Sequence, residues 1–182
     1  LQYTYHNAKN AETFGIELDM KKSLDFIGLR GLSLVCNAAY IHSRVRFEEG
    51  APERDRPLAG QSPYLVNAGL FYQHDDKGIS ASLLYNRIGK RIESVGVPMQ
   101  DQNEDIPDIY EMPRNSLDLT FSKKIGKAVE IKAGIQDMLN SKIEYKQFVK
   151  LTDQNGGKRE REQLVRSYRP GVDINVGVSL KF

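Results

Sequence analysis

The sequence has little cysteine, no surplus of either charge and no long hydrophobic run. A single cysteine, Cys36, among 182 residues excludes an internal disulfide framework and a multi-cysteine zinc site. Its 26 Lys and Arg residues against 24 Asp and Glu residues give a net charge of +2, which does not support binding to nucleic acid or to a membrane surface through a polybasic patch. No stretch approaches the roughly 18 apolar residues of a transmembrane helix, so a helical membrane protein is excluded.

Catalytic motifs are also absent. The three histidines, His6, His42 and His74, lie in different runs, and no GxSxG or HExxH motif accompanies them. His42 and Ser43 are neighbours on one predicted strand, so their side chains point to opposite faces and form no dyad there. Cys36 lies on the apolar side of its run and is expected to be an inert thiol. We therefore expect no enzyme and no cofactor.

The chain does contain a strong alternation of apolar and polar residues with a period of two. The alternation covers segments 1–6, 13–22, 30–47, 62–72, 78–86, 115–124, 128–136 and 171–182. A period of two is typical of a β-strand with differently solvated faces. The sequence therefore predicts an all-β, antiparallel protein of about eight strands with no amphipathic helix.

Strand length and loop length favour an outer-membrane barrel over a soluble sheet protein, although both show this alternation. A tilted strand of about ten residues spans the roughly 25 Å height of the apolar band of an outer-membrane barrel. Short turns alternate with long polar connections, as in such barrels, where the short turns are periplasmic. The predicted short turns are 23–28, 74–78 and 123–128, and the predicted long loops are 47–61, 90–112 and 138–170.

The two ends of the sequence add two expectations. The last strand closes on an aromatic residue, Phe182, whereas a soluble edge strand more often ends in a polar tail. The first residues read as a strand already under way, so we expect that Leu1 is not the biological start.

Four segments, taken in order, resemble the last part of a TonB-dependent outer-membrane receptor of the Bacteroidota, a group that includes SusC-like proteins. These segments are RPLAGQSPYLVNAGLFYQ (56–73), MPRNSLDLTFSKKIGK (112–127), KAGIQDMLNSKIEY (132–145) and YRPGVDINVGVSLKF (168–182). The resemblance implies a transmembrane β-barrel of 22 strands with an N-terminal plug domain inside it. Residues 1–182 would then be its C-terminal part, about the last eight strands of one barrel domain, without the plug.

The resemblance also implies a function and partners. Such receptors lie in the bacterial outer membrane and import a large or scarce solute, such as a siderophore, glycan, peptide or cobalamin, with energy delivered by the TonB complex. The expected partners are outer-membrane lipid, the protein's own plug domain, the TonB complex, the barrel insertion machinery and, in SusC-like members, a SusD-like surface lipoprotein. Phe182 resembles the signal that the insertion machinery recognises. No nucleic acid is expected as a partner.

The polar side of the predicted strands supplies the candidate site. In a wide barrel these residues would point into the lumen, where they would meet the plug or line the path that its movement opens. They are Glu17, Asp19, Lys21, Asn67, Gln73, Asp118, Glu130, Lys132, Gln136, Asp173, Asn175 and Lys181. The mixture of both charge signs suits an interface of hydrogen bonds and ion pairs.

Other motifs are interpreted as structural. The carboxylates of Asp101, Glu104, Asp105 and Asp108 have a spacing that suits Ca²⁺, but the EF-hand pattern is missing and a solvated loop is favoured. The segment 137–140, DMLN, is interpreted as a turn after a strand. The charged run 158–162 is interpreted as part of a solvated hairpin loop.

Two alternative functions remain open at this point. In the first, the chain is a small, self-contained outer-membrane barrel that acts as an anchor or adhesin. In the second, it is a soluble lipocalin-like carrier whose apolar face surrounds a small ligand.

Overall fold

A computed structural model describes residues 7–51, 53–97, 106–152 and 158–180. The regular structure of these residues is β-strand, apart from a three-residue 3-10 turn at Asp25–Ile27. In chain order the strands are β1 (Asn10–Ser23), β2 (Leu32–Arg46), β3 (Tyr64–His74), β4 (Ile79–Ile88), β5 (Arg91–Ser94), β6 (Ile109–Glu111), β7 (Arg114–Ile125), β8 (Val129–Gln136), β9 (Ile143–Thr152), β10 (Lys158–Tyr168) and β11 (Asp173–Leu180). Within the described ranges there is no helix long and apolar enough to cross a membrane.

The strands form two antiparallel sheets. The larger, here called the main sheet, has seven strands in the order β1-β2-β3-β4-β7-β8-β11, and the smaller, the rim sheet, has four in the order β10-β9-β6-β5. The prediction of an all-β, antiparallel protein is confirmed. The main sheet is open, because β1 and β11 are its edges and do not pair with each other among the described residues.

The register of the main sheet sorts its side chains onto two faces. Asp19 lies opposite Asn37, Asn37 opposite Asn67, and Asn67 opposite Asn86, so the polar side of one strand continues onto the next and forms the polar face. The alternate residues form the apolar face, which includes Phe14, Ile16, Leu18, Met20, Leu34, Cys36, Ala38, Val66, Ala68, Leu70, Ala81, Leu83, Leu117, Leu119, Phe121, Ile131, Ala133, Ile135, Ile174, Val176 and Val178.

No second layer covers the apolar face in the described chain. The buried hydrophobic side chains are Val45, Ile92, Ile143 and Tyr145, and none of them belongs to this face. Ile16 at one edge is 78% exposed and Val176 at the other is 73% exposed. The solvent-accessible surface is 13708 Å², whereas size scaling gives about 8,900 Å² for a compact monomer of this mass. The main sheet is therefore a single layer with almost no core of its own.

Short turns lie at one end of the main sheet and long connections at the other. The short turns are 24–31, 75–78 and 126–128, and the long connections are 47–63, 89–113 and 137–172. This alternation is the one predicted from sequence, and it follows from antiparallel neighbours joined in order. The two ends are called the short-turn end and the long-connection end below. Which end faces the cell exterior stays a prediction.

Two glycines allow close contact between neighbouring turns and strands at the short-turn end. Gly31 has φ +75°, and a Cβ there would lie 2.2 Å from the carbonyl oxygen of Gln73. Gly78 has φ +58°, and a Cβ would lie 2.9 Å from the Cβ of Lys124. Only glycine combines this backbone conformation with so close an approach.

The prediction that the long connections contain no strands is wrong for two of the three. The seven predicted strands after residue 7 are all present in the main sheet, and the first one, 1–6, lies outside the described residues. Segments 90–112 and 138–170, however, were expected to be polar loops and instead carry the four strands of the rim sheet. Periodicity misses these strands because β5 and β6 are only four and three residues long and β10 begins with a run of charged residues. Lys146 on β9 lies 2.6 Å from Glu162 on β10, and the run 158–162 is strand rather than loop.

Candidate functional site

The register places all the described lumen-facing candidates on the polar face. These are Glu17, Asp19, Lys21, Asn67, Gln73, Asp118, Glu130, Lys132, Gln136, Asp173 and Asn175. Their contact with a lumen or a plug stays a prediction. Lys181 and Phe182 lie outside the described residues.

A chain of side-chain amides crosses the polar face from β4 to β1. Asn86 Nδ2 donates to Asn67 Oδ1 at 2.5 Å, and Asn67 Nδ2 donates to Asn37 Oδ1 at 3.3 Å. Asn37 Nδ2 then donates to Glu17 Oε1 at 2.8 Å and to Asp19 Oδ1 at 2.6 Å. We call Asn86, Asn67 and Asn37 the amide chain. It exists because the register sets these three positions side by side on adjacent strands.

The amide chain has a direction that its carboxylate end determines. Ionised carboxylates only accept hydrogen bonds, so both N–H groups of Asn37 point toward Glu17 and Asp19 and its carbonyl is left to accept from Asn67. The result is an ordered polar strip with its negative end at the β1 edge of the main sheet.

A depression of about 300 Å³ lies on the polar face beside the amide chain. Its lining includes Asn37, Asn67, Asn86 and Asp118 together with the apolar Phe71 and Leu84. A Cβ at Gly69 would lie 2.7 Å from the Phe71 ring and 2.8 Å from Leu84, so the glycine leaves room for both side chains. The depression therefore combines amide and carboxylate groups with an apolar wall.

Three other candidates, Gln73, Glu130 and Lys132, have local partners away from the depression. Gln73 Nε2 donates to Asp75 Oδ1 at 2.7 Å at the short-turn end. Lys132 and Glu130 lie 3.4 Å apart on β8. These residues share the face but do not join the amide chain.

Sequence reasoning did not select Asn37, Asn86 or Phe71. Asn37 lies in the irregular run 30–47, and Asn86 is the last residue of the predicted strand 78–86. The alternation along each strand assigns both asparagines to the polar side. The strand register, which makes them neighbours of Asn67, does not follow from the alternation. Phe71 is an apolar residue at a polar position of the β3 alternation, so the pattern does not predict it as part of the polar face.

The DMLN segment forms a turn, as predicted. Its hydrogen bonds are not all local, however, since Asn140 Oδ1 accepts from the backbone N–H of Gly171 at 3.1 Å, 31 residues further along the chain. Asp137 accepts from Arg114 Nη2 at 3.4 Å, and its own N–H donates to Asp118 Oδ1 at 2.8 Å.

Aromatic and basic side chains bound the apolar face at both ends. At the long-connection end, Asn115 Oδ1 accepts from Tyr85 at 2.8 Å and from Arg87 Nη1 at 2.7 Å, and Arg87 Nε donates to Tyr64 at 3.3 Å. Register places Tyr40 beside Tyr64. At the short-turn end the same face carries Lys22, Tyr72, His74 and Lys123. Tyr110, in contrast, belongs to the rim sheet.

The rim sheet combines charged and aromatic contacts with buried apolar side chains, among them Ile92 and Ile143. Lys90 Nζ lies 4.6 Å from the ring centres of both Tyr110 and Phe148, and the Arg166 guanidinium lies 4.1 Å from the Tyr145 ring. The hydrogen bond to Glu162 raises the pKa of Lys146, and burial raises the pKa of Tyr145. With raised pKa values, Lys146 stays charged and Tyr145 stays neutral at neutral pH.

The described residues contain no group of three or more His, Cys, Asp and Glu side chains that could hold a metal ion. Asp101, Glu104 and Asp105 of the calcium candidate lie outside the described residues. Asp108, the fourth, accepts from the backbone N–H of Gly96 at 2.7 Å and from Tyr110 at 3.4 Å. Asp108 thus has a structural role in the connection between β5 and β6.

Comparison with known proteins adds no assignment. No protein-family model, no curated protein and no solved structure matches this chain.

Proposed function

We propose that the chain forms part of the wall of a TonB-dependent outer-membrane transporter. In this proposal the apolar face of the main sheet contacts lipid and the polar face points toward the lumen and the plug. The observation that carries the proposal is the uncovered apolar face, which extends across all seven strands of a single-layer sheet.

The size of the apolar face supports a membrane environment. Seven strands at about 4.8 Å make a sheet roughly 30 Å wide, and the span from Phe14 to Met20 is roughly 20 Å along the strand. Its flat projection is therefore about 600 Å², at the upper limit of the largest apolar patch on a typical soluble monomer. At about 25 cal/mol per Å², leaving this face in water is costly, whereas hydrocarbon removes the cost.

The side chains at the two ends of the apolar face support the same environment. Tyr40, Tyr64, Tyr85 and Arg87 lie at one end, and Tyr72, Lys22 and Lys123 lie at the other. Aromatic and basic residues prefer the two interfaces of a bilayer, where an apolar body meets a polar tip.

The transport part of the proposal rests on the four segments that resemble the receptor family. The polar face agrees with it, because side chains of both signs and the amide chain offer hydrogen bonds and ion pairs to a plug domain. The edge strands β1 and β11, which each pair with a single strand among the described residues, agree with a wider barrel to which further strands would add. The imported solute would be of the siderophore, glycan, peptide or cobalamin class, with a SusD-like lipoprotein as a partner if the receptor is SusC-like.

The membrane part is tested by fractionation of the native cells. We expect the protein in the outer-membrane fraction, resistant to extraction at alkaline pH and released only by detergent. Recovery in a soluble fraction would contradict the proposal and favour the lipocalin-like carrier.

The transport part is tested by genetics. Strains lacking the gene, lacking TonB and lacking both are compared for growth on a panel of single scarce nutrients. We expect at least one nutrient on which the three strains share the same defect. A protein that remains in the outer membrane but whose loss gives no TonB-dependent defect would favour an anchor or adhesin.

A further inference from the structure

Arg87 is a cation on the apolar face of the main sheet. It lies opposite Val66 in the pairing of β3 with β4, two residues beyond Tyr85 toward the long-connection end. The apolar side chains of Leu83 and Ala81 follow on the same side of β4 toward the short-turn end. The charge therefore lies at the boundary where apolar side chains give way to polar ones.

Neutral side chains hold the guanidinium of Arg87 in place. Its Nη1 donates to Asn115 Oδ1 at 2.7 Å, and its Nε donates to the Tyr64 hydroxyl at 3.3 Å. Its Cζ lies 6.0 Å from the centre of the Tyr64 ring. The same Asn115 oxygen accepts from the Tyr85 hydroxyl at 2.8 Å. These contacts fix the guanidinium without balancing its charge.

The carboxylates near this end of the sheet are paired with other arginines. The pairs are Glu12 with Arg46 at 2.8 Å, Asp55 with Arg44 at 3.1 Å, and Asp137 with Arg114 at 3.4 Å. No carboxylate of the described residues forms an ion pair with Arg87, whose hydrogen-bond partners are Asn115 and Tyr64. Within the described chain Arg87 is therefore a fixed positive charge without a negative partner.

Arg87 and Tyr64 offer hydrogen-bond donors side by side. A guanidinium carries several N–H donors in a planar fork, and the bonds to Asn115 and Tyr64 use only some of them. The Tyr64 oxygen accepts from Arg87, which leaves the hydroxyl proton of Tyr64 to donate. A phosphate group has several oxygens that accept from such a fork and from a hydroxyl at the same time.

We propose that Arg87 and Tyr64 bind the phosphate of a membrane-lipid headgroup at the long-connection end of the apolar face. The inference rests on the proposed contact of this face with lipid. In a bilayer the headgroups lie where the hydrocarbon ends, at the level where aromatic and basic side chains are enriched. The phosphate supplies the negative partner that the described chain does not give to Arg87.

A lipid is favoured over free phosphate because the site adjoins the apolar face. Leu70 and Leu83 lie opposite each other on this face, on the two strands that carry Tyr64 and Arg87. Acyl chains that extend from a bound headgroup can pack against these side chains, and their burial adds to the binding of the phosphate. Inorganic phosphate makes only the polar contacts.

Native mass spectrometry of the full-length protein in an uncharged detergent tests the site. Phosphatidylglycerol is titrated beside a diacylglycerol that has the same acyl chains and no phosphate. We expect phosphatidylglycerol to bind roughly tenfold more tightly, because the diacylglycerol cannot form the charge-assisted hydrogen bonds. Excess inorganic phosphate should not displace the bound lipid.

Variants assign this binding to the site. Arg87→Gln should weaken phosphatidylglycerol binding roughly tenfold and leave diacylglycerol binding unchanged. Tyr64→Phe removes only the hydroxyl and should weaken it roughly threefold. Arg44→Gln is the matched control, because Arg44 lies on the same side of the sheet near the same end but already pairs with Asp55. It removes the same charge and should leave the lipid affinity near that of the unaltered protein.

Four results would overturn the site. They are unchanged affinity in Arg87→Gln, equal weakening by Arg44→Gln, equal binding of the two lipids, and displacement of the lipid by inorganic phosphate. If Arg87→Gln does not fold, the comparison of the two lipids and the Tyr64→Phe variant decide in the same way. A protein that fractionates with the outer membrane but fails these tests refutes this site alone. Recovery in a soluble fraction refutes both the site and the proposed function.

Discussion

Val176 and Asn175 are neighbours on β11 whose side chains lie on opposite faces of the main sheet. Val176 is 73% exposed at the middle of the strand, on the face proposed to contact lipid. We expect Val176→Arg to lower the free energy of unfolding in lipid vesicles by about 2–4 kcal/mol, because a charged side chain near the bilayer midplane is poorly solvated. Urea titration of the protein folded into vesicles measures this cost.

Asn175→Arg is the matched control for this substitution. It introduces the same side chain one residue away on the polar face, where water or polar groups can solvate the charge, and we expect a clearly smaller loss. Equal losses from both variants, or a larger loss from Asn175→Arg, would argue against lipid contact at Val176.

Asp25 in the first short turn gives a pH prediction at the residue scale. The Ser23 hydroxyl at 2.7 Å and the Gly31 N–H at 2.9 Å lower the pKa of this carboxyl. A lowered pKa in the folded state means that the ionised form stabilises the turn. This contribution is fully present above the ordinary Asp pKa of about 3.9 and is lost as the pH falls through the lower folded value.

The protection factor of the Gly31 amide should report this loss. We expect it to be constant above about pH 5 and to fall below about pH 4. Asp25→Asn keeps an acceptor without an ionisable group, so its protection should lack the acidic step. A step that persists in Asp25→Asn would assign the titration to another group.

At the scale of elements, the turn between β1 and β2 offers a test of close packing. Gly28 and Gly31 both have positive φ, but a Cβ at Gly28 would meet nothing within 4 Å, whereas one at Gly31 would lie 2.2 Å from the Gln73 carbonyl. We expect Gly28→Ala to cost about 1–2 kcal/mol from backbone strain alone. Gly31→Ala should cost about 1–3 kcal/mol more, because the neighbouring strand must move. Equilibrium unfolding of both variants measures the difference, and equal costs would contradict the contact with β3.

The strands that the sequence predicted and those that it missed differ in their residue pattern. Segment 171–182 alternates apolar and polar residues along its whole length, and β11 is found there. β10 begins with a run of charges of both signs, and it pairs along its length with β9, where Lys146 lies 2.6 Å from Glu162. Such pairing leaves no trace in hydrophobic periodicity.

The sequence predicts which face of the sheet carries the candidate residues, but it does not predict which of them are in contact. Parity along each strand placed Glu17, Asp19, Asn67 and Asp118 on one side, which needs only the alternation of side chains. The amide chain needs Asn37 and Asn86 at matching positions of adjacent strands, and that match depends on turn lengths and hydrogen-bond register. The link from Asn140 to Gly171 likewise spans a folded hairpin that the sequence did not reveal.

At the scale of the whole molecule, the alternating connections predict which end of the sheet faces the cell exterior. The long-connection end carries the rim sheet and would lie outside, with the short turns in the periplasm. Glu49 and Asp76 are exposed residues at the two opposite ends. In a Cys36→Ala background, Glu49→Cys and Asp76→Cys each supply one thiol at a known end.

A maleimide that cannot cross the outer membrane distinguishes the two ends. In intact cells we expect Glu49→Cys to react and Asp76→Cys to remain unlabelled, because only the first would be outside the bilayer barrier. After the outer membrane is permeabilised, both should react, which shows that both thiols are accessible in the folded protein. Labelling of Asp76→Cys alone in intact cells would invert the orientation. Equal labelling of both in intact cells would mean that no membrane separates the two ends, and the apolar face would then require a protein partner rather than lipid.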